Sequence, residues 1–173
     1  MSNNSKSFWD KTWKRENARF YKHFRAISTL LPEQGKVIDV GCGVGTLLKY
    51  LKKNNLGLNL EGRDFSTEAI KKLSKSGIKC KVEKLPKITG KADVIIATEV
   101  LEHMKNDSEI VKNMSKVAPI MIATVPNNCL GPEVCDEHER LYTADSLVKL
   151  VEKYYKKYVI YEVDHYLLIK AHN

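Results

Sequence analysis

A glycine-rich turn after a short apolar strand is the first feature that could do chemistry. The stretch 37–45 reads Val-Ile-Asp-Val-Gly-Cys-Gly-Val-Gly, and a helical pattern begins directly after it. Backbone N–H groups of such a turn point at the ligand above it. Asp39, two residues before the first glycine, suits a cationic amino group and repels a pyrophosphate. No Gly-Lys-Ser/Thr follows, which excludes the Walker phosphate loop; a purely structural glycine turn stays open.

A second acidic residue, Asp64, follows the next apolar run about twenty residues later, in the segment Gly-Arg-Asp-Phe-Ser of residues 62–66. A carboxylate at the carboxyl end of that strand can accept hydrogen bonds from both ribose hydroxyls of a nucleoside cofactor. The alternative is that Asp64 caps the next helix. That role is already available to Ser66, which stands at the predicted N-cap of a helix over 66–76.

The elements that must position these residues alternate between strand and helix along the chain. Nearly continuous apolar strands separated by helices indicate a parallel sheet buried on both faces. The last two strands are separated by only Asp164 and His165, and a two-residue connection makes an antiparallel hairpin. The pattern predicts an α/β, Rossmann-like doubly wound sheet of seven strands, five parallel and two in a C-terminal antiparallel hairpin: 36–40, 58–60, 78–82, 92–97, 120–125, 158–163 and 166–170.

The N-terminal stretch carries a different apolar pattern. Trp9 and Trp13 lie four residues apart, and apolar residues then recur at steps of four, three and four, at Phe20, Phe24, Ile27 and Leu31. This spacing predicts an amphipathic helix over 16–31. Trp9, Trp13 and Tyr21 either form a lid over the pocket or belong to the core, and the sequence leaves both interpretations open.

Composition limits the class of protein. The chain has 173 residues, of which 43% are apolar and 29% charged, as in an ordinary globular domain. We expect one domain over 1–173, with an N-terminal helical segment over 1–31 and a core over 36–173. No membrane span or signal peptide is recognisable, and four unevenly spaced cysteines favour reduced thiols, so we expect a cytoplasmic protein.

The net charge of +8 is concentrated in one stretch. Residues 71–91 contain eight lysines and one acidic residue, Glu83. Such a stretch could attract phosphate. It lacks the arginines and interleaved aromatic residues of many nucleic-acid surfaces, so a solvated face is favoured and nucleic-acid binding is the alternative.

Four segments together resemble the class I S-adenosylmethionine-dependent methyltransferases, closest to the compact members that methylate small molecules. Residues 39–45 match the first motif of that family and 62–66 the second. Residues 92–103, with their Leu-Glu-His ending, resemble the fourth-strand segment. Residues 125–127 and 138–143 resemble the segment after the fifth strand. The resemblance covers nearly the whole chain. It implies S-adenosylmethionine as cofactor and methyl transfer by in-line displacement to a small-molecule oxygen or nitrogen acceptor.

The resemblance also implies which residues hold the cofactor, from its methionine end to its adenine end and the floor of the pocket: Asp39, Gly41, Cys42, Gly43, Asp64, Phe65, Val82, Glu83, Thr98 and Glu99. Asp64 is expected at the ribose and Phe65 at the adenine, with the backbone N–H of Val82 beside the ring. Lys81 stands where relatives often have an aspartate for the adenine amino group. Glu83 or a backbone carbonyl then has to replace that aspartate.

A set of acidic and imidazole side chains allows a metal. Glu99, Glu102 and His103 together with His138 resemble the metal-binding set of small-RNA 2′-O-methyltransferases, and these ligands suit a divalent cation that polarises a hydroxyl. The Leu-Glu-His ending is also common in metal-free relatives. We therefore expect no metal, with Glu102 facing a helix N-terminus, His103 packing locally, and the loop before His138 too long for a rigid ligand arm.

Catalysis needs little else from the protein, because S-adenosylmethionine carries its own leaving group. An alcohol acceptor would need a general base, for which His138 is the candidate; an exposed loop position is the alternative. We expect a small-molecule acceptor as partner and a monomer or homodimer. Two other functions stay open: methylation of RNA or protein, and a non-catalytic protein that binds the cofactor or a partner.

Overall fold

The computed structural model describes residues 4–15, 21–55 and 57–173. Its strands are β1 (Gln34–Val40), β2 (Gly57–Asp64), β3 (Lys79–Val82), β4 (Val94–Thr98), β5 (Ile120–Pro126), β6 (Lys157–Val163) and β7 (Tyr166–His172). Its α-helices are α1 (Lys6–Arg15), α2 (His23–Leu30), α3 (Thr46–Asn54), α4 (Thr67–Ser74), α5 (Asp107–Val117) and α6 (Ala144–Val151). A short 3₁₀ turn, Leu101–His103, follows β4.

The seven strands form one sheet in the order β3-β2-β1-β4-β5-β7-β6. The first five strands of the chain pair in parallel, and β7 pairs antiparallel with both β5 and β6. The predicted fold class is confirmed. Asp39 on β1 lies beside Gly62 of β2 and Ile96 of β4, so the glycine turn emerges at the centre of the sheet's carboxyl edge.

Helices cover both faces of the sheet, which explains the continuous apolar runs of its central strands. Val37 packs with α2, α3 and α4, whereas its neighbour Ile38 packs with α5 and α6 on the opposite face. Ile96 and Ile95 divide in the same way. Because successive side chains of a strand alternate between faces, a strand buried on both sides needs apolar residues at every position.

Strand β2 is longer than its apolar residues predicted. It continues past 58–60 to Asp64, and it buries Glu61 and Arg63. The guanidinium of Arg63 lies 2.8 Å from a carboxylate oxygen of Glu61 and 2.8 Å from one of Glu83. Pairing within this buried ion network makes charged residues compatible with the interior of the strand. Because these residues interrupt the apolar run, the apolar pattern predicted only the first part of β2.

The N-terminal segment differs from the single predicted helix over 16–31. It forms α1 and α2, and residues 16–20 lie outside the described part of the chain. Helix α2 buries Phe24 and Ile27 against the sheet, whereas α1 buries none of its residues. Within the described ranges, no helix has both the length and the apolar character that crossing a membrane requires.

Candidate active site

The glycine turn is tied to the end of β2 through the backbone. The N–H groups of Gly41 and Cys42 both donate to the carbonyl oxygen of Arg63, at 2.8 and 3.1 Å. Gly43 has φ +52°, and a Cβ at this position would lie 2.7 Å from the ring of Trp13. Both the left-handed backbone and the close approach of the tryptophan require glycine there.

Asp39 is buried directly beneath this turn. Its side chain is 1% exposed, and its Oδ1 has no hydrogen-bond partner among the described residues. Burial, together with the nearby Asp64, raises the pKa of Asp39 well above its usual range. A buried carboxylate without a partner is stabilised by a cation placed against it. The site therefore fits the ammonium group of a cofactor, and the assignment of Asp39 to that group stays a prediction.

Asp64 has a structural role as well as a place in the pocket. Its Oδ2 accepts a hydrogen bond from the N–H of Gly43 at 2.9 Å, and its Oδ1 one from the N–H of Ser66 at 2.8 Å. Burial raises the pKa of Asp64 despite these hydrogen bonds. The Ser66 hydroxyl caps α4, accepting from the N–H of Ala69 at 3.2 Å, as predicted. Asp64 thus holds the glycine turn against the start of α4.

Two adjoining cavities lie along this edge of the sheet. One of about 520 Å³, here called the Phe65 cavity, is lined by five of the predicted cofactor residues: Gly41, Asp64, Phe65, Glu83 and Glu99. The other, of about 360 Å³, is here called the His138 cavity. It is lined by His138 and six of the predicted cofactor residues: Asp39, Gly41, Cys42, Gly43, Thr98 and Glu99. Val82 lines neither cavity and is 50% exposed.

The adenine end of the predicted site is built differently from the expectation. Both carboxylate oxygens of Glu83 are engaged: Arg63 Nη1 donates at 2.8 Å, Thr89 Oγ1 at 2.7 Å, and Lys81 Nζ lies at 3.0 Å. Glu83 is therefore not free to replace the missing aspartate. Three residues that the sequence did not single out line this end of the Phe65 cavity, Lys84, Leu85 and Pro86. The sequence could have indicated them by their position, because the loop after β3 lies at the carboxyl edge of the sheet, where the other predicted site residues lie.

Glu99 follows β4 with a strained backbone. Its φ is +54°, a left-handed conformation that costs a non-glycine residue on the order of 1–3 kcal/mol and is concentrated at functional sites. Its Oε1 accepts a hydrogen bond from the hydroxyl of Thr124 at 2.9 Å. Burial raises the pKa of Glu99 to about 8. This residue lines both cavities, so its strain holds a carboxyl group at their junction.

Glu102, His103 and His138 come together beside Glu99. One potential ligand atom from each lies within 4.8 Å of the other two. Glu102 is 1% exposed, and neither of its carboxylate oxygens accepts a hydrogen bond from another described residue. The expectation that Glu102 faces a helix N-terminus is therefore not met. Burial, and then the neighbouring Glu99, raise the pKa of Glu102 well above its usual range.

The two imidazoles are oriented by backbone carbonyls. His103 Nδ1 lies 2.9 Å from the carbonyl oxygen of Glu137, and His138 Nδ1 lies 2.5 Å from that of Leu130. The two ring centroids are 4.7 Å apart. A carbonyl can only accept, so each Nδ1 carries a proton, and in the neutral form of each ring Nε2 has the lone pair. Each Nε2 is then a possible proton acceptor or metal ligand.

The loop that carries His138 is anchored at its end, contrary to the expectation of a loose arm. The N–H of Glu139 donates to the carbonyl oxygen of Glu102 at 2.7 Å. The carboxylate of Asp107, at the start of α5, accepts from Arg140 Nη1 and from the hydroxyl of Tyr142, each at 2.6 Å. These bonds hold the segment after β5 against the turn after β4.

Helix α1 covers the two cavities as a lid. Trp9 and Trp13 line both of them. The carboxylate of Asp10 accepts from Ser66 Oγ at 2.5 Å and from the N–H of Glu68 at 3.3 Å, at the N-terminus of α4. Asn4 Nδ2 donates to the carbonyl of Glu137 at 2.6 Å. Trp9 and Trp13 thus act as lid residues. The hydrogen bonds of Asn4 and Asp10, here called the latches of the lid, could not be predicted because no sequence pattern marks them.

Comparisons with known proteins identify the family and the fold. The sequence profile described as "Methyltransferase domain" matches residues 13–154. The sequence matches none of the curated proteins. Magnesium protoporphyrin IX methyltransferase from Synechocystis PCC 6803, solved with bound SAH, is similar in structure, with a TM-score of 0.75 and 16% identity over 99% of this chain and 96% of the other.

Two further solved structures are similar. A SAM-dependent methyltransferase from Thermotoga maritima, described as a possible histamine N-methyltransferase, has a TM-score of 0.74 and 15% identity over 87% of each chain. The methyltransferase domain of bacterial CtHen1-CN has a TM-score of 0.71 and 20% identity over 87% of this chain and 97% of the other. The chain therefore belongs to the methyltransferase domain family, and its fold is that of the class I S-adenosylmethionine-dependent methyltransferases.

Proposed function

We propose that this chain transfers the methyl group of S-adenosylmethionine to a small-molecule oxygen or nitrogen acceptor bound in the His138 cavity. The observation that carries the proposal is the pair of buried carboxylates at the glycine turn. Asp39 lines the His138 cavity with an Oδ1 that has no hydrogen-bond partner among the described residues, whereas Asp64 lines the Phe65 cavity. This arrangement suits a ligand with an ammonium group at one end and a ribose at the other.

Each part of the site has a separate task in this proposal. Asp64 and Phe65 hold the nucleoside, and Asp39 holds the amino group of the methionine portion. The cofactor supplies a methyl group on a sulfonium leaving group. Trp9 and Trp13 on α1 exclude water from the reacting groups. When the acceptor is a hydroxyl, Nε2 of His138 accepts its proton as the methyl is transferred.

A screen of acceptors for release of S-adenosylhomocysteine tests this proposal. With a hydroxyl acceptor, His138→Ala should lower kcat by about 10²–10⁴-fold, the usual contribution of a general base. The affinity for S-adenosylhomocysteine should not change. His165→Ala, on the exposed β6–β7 turn, is the matched control and should behave as the wild type. Equal kcat in all three proteins would remove His138 from the chemistry.

A second candidate function is metal-assisted 2′-O-methylation of RNA. It is favoured by the approach of Glu102, His103 and His138 to within 4.8 Å, with both Nε2 atoms available. Those donors fit a divalent cation, which would polarise a ribose hydroxyl and lower its pKa. The lysines of residues 71–91 could attract the phosphates of such a substrate.

Chelation separates the two candidates. The leading proposal needs no Lewis acid, because the sulfonium methyl is already activated, and it predicts that methyl transfer survives EDTA. Calorimetry should then give the same result for Mn²⁺ with the wild type and with Glu102→Gln, because no Mn²⁺ site depends on Glu102. The RNA candidate predicts turnover that EDTA abolishes and Mn²⁺ restores, with Glu102→Gln folded but inactive. That second result would replace the leading proposal.

A further inference from the structure

The His138 cavity is acidic in a basic protein. Its described lining contains no lysine or arginine. It contains four residues with a carboxyl group: Asp39, Glu99, Glu102 and Glu137. The whole chain carries 29 basic and 21 acidic residues, a net charge of +8. Acidic side chains without a lysine or arginine beside them offer no partner to an anionic acceptor, whereas a cationic acceptor can pair with a carboxylate that ionises when it binds.

Three of these four carboxylates already have a task. Asp39 is assigned to the amino group of the cofactor. Glu99 accepts a hydrogen bond from Thr124, and Glu137 lies 3.1 Å from the thiol sulfur of Cys135. Glu102 is the exception, because it is buried in the lining with no hydrogen-bond partner among the described residues. A buried carboxylate of this kind calls for a cation in the cavity.

The rest of the lining suits an organic cation. Aromatic side chains from the lid, from α2 and the segment just before it, and from β7 line the space: Phe8, Trp9, Tyr21, Phe24 and Tyr166. Aromatic faces attract ammonium groups and also cover an apolar body. The methionine portion of the cofactor at Asp39 takes part of the cavity volume of about 360 Å³, so the acceptor has to be small. The cavity therefore offers one carboxylate for a charge and apolar walls for the remainder of the ligand.

We infer that the acceptor is a small primary or secondary amine on an apolar or aromatic body, and that Glu102 binds its ammonium group. The inference rests on the proposed function, and it specifies the substrate class for the same site. His138 is near enough to Glu102 to serve the same nitrogen, since a ring nitrogen of His138 and a carboxylate oxygen of Glu102 lie within 4.8 Å of each other.

The transfer step balances with the residues present. The ammonium first gives one proton to Nε2 of His138, which leaves a lone pair on the nitrogen. That lone pair attacks the methyl carbon, the new N–C bond forms as the C–S bond breaks, and the bonding electrons pass to sulfur. The products are S-adenosylhomocysteine and a methylated ammonium ion, whose charge Glu102 still balances. His138 afterwards releases its proton to solvent.

Matched ligand pairs test the inference. Phenethylamine and hexylamine are each compared with the alcohol of the same skeleton, and phenylacetate serves as the anion. Binding to the S-adenosylhomocysteine complex is followed by the fluorescence of Trp9 and Trp13, the two tryptophans of the chain, which both line the cavity. At least one amine should bind about tenfold or more tightly than its alcohol, as expected for one charge-assisted hydrogen bond. Phenylacetate should not bind.

Substitution of the carboxylate completes the test. Glu102→Gln should abolish the preference for the amine while the affinity for S-adenosylhomocysteine stays within about twofold. Glu33→Gln, an exposed glutamate before β1, should keep the preference. The inference is overturned when no amine binds more tightly than its alcohol, when Glu102→Gln keeps the preference, or when turnover requires Mn²⁺ bound at Glu102. Failure of S-adenosylhomocysteine itself to bind would instead defeat the proposed function.

Discussion

Asp39 and Asp64 end neighbouring strands at the same edge of the sheet, yet they are held in opposite ways. Asp39 is buried without a partner for its Oδ1, whereas both oxygens of Asp64 accept backbone N–H groups. The first arrangement leaves a carboxylate for a ligand. The second uses the carboxylate to shape the turn, so in the proposed site the ribose would share Asp64 with Gly43 and Ser66.

Asp64→Ala should therefore weaken both binding and folding. We expect a loss of roughly 1.5–3 kcal/mol in affinity for S-adenosylhomocysteine, the range for a hydrogen bond to a charged group. The buried N–H groups of Gly43 and Ser66 lose their acceptor, so unfolding should also become easier by about 1–3 kcal/mol. Calorimetry and urea denaturation measure the two losses. An Asp64→Ala protein with unchanged affinity would show that the ribose is held elsewhere.

Glu99 gives the stability of the protein a pH dependence. Its folded-state pKa of about 8 lies above the ordinary 4.5, so the folded protein binds a proton that the unfolded chain has released. This contribution is complete below pH 4.5 and is lost as the pH rises through 8. Between pH 5 and 8.5 the wild type should lose ~2–4 kcal/mol relative to Glu99→Gln, whose side chain can still accept from Thr124.

Urea denaturation of the two proteins without cofactor, at both pH values, measures this difference. The comparison with Glu99→Gln removes the contribution of groups that titrate equally in both proteins. Parallel pH dependences in the two proteins would mean that Glu99 is ionised normally in the folded state.

At the scale of elements, the site depends on how the lid and the loops attach to the sheet. Helix α1 contributes no buried residue and is held by hydrogen bonds at Asn4 and Asp10. Burial acts to raise the pKa of Asp10, but hydrogen bonds from Lys6, Ser66 and Glu68 outweigh it and lower the pKa to about 2. The latch is therefore ionised, and intact, at neutral pH.

Asp10→Ala should loosen the lid without unfolding the domain. The substitution removes an acceptor at the N-terminus of α4, worth about 1 kcal/mol, so S-adenosylhomocysteine should dissociate about fivefold faster. Lys11→Ala, an exposed position on the same helix, is the control. Stopped-flow fluorescence of Trp9 and Trp13 measures the rates. Identical rates for Asp10→Ala and Lys11→Ala would show that α1 does not gate the cavities.

Elements that are held by apolar burial could be predicted from the sequence, whereas elements that are held by polar contacts could not. The core strands and the closing hairpin followed from apolar runs and a two-residue turn, because burial on both faces demands such runs. The extent of β2 and the existence of α1 did not, since β2 carries a buried ion network and α1 is held by polar contacts. Lys84, Leu85 and Pro86 reach the cavity through loop conformation, which no periodic pattern records.

At the scale of the whole molecule, basic and acidic side chains are concentrated in different places. On the edge strand β3, Lys79 and Lys81 lie 3.5 and 3.0 Å from the carboxylates of Glu61 and Glu83, so these two lysines of the basic stretch take part in the ion network beneath β2. The described lining of the His138 cavity, by contrast, contains aspartate and glutamate but neither lysine nor arginine.

The central claim is that the carboxyl edge of the sheet holds S-adenosylmethionine, and calorimetry tests it most directly. We predict that S-adenosylmethionine and S-adenosylhomocysteine bind one per chain with micromolar affinity, while NAD gives no binding heat. The reason is that Asp39 accepts an ammonium group and repels a pyrophosphate, and Asp64 accepts a ribose. Tight binding of NAD, with no binding of S-adenosylhomocysteine, would contradict the account.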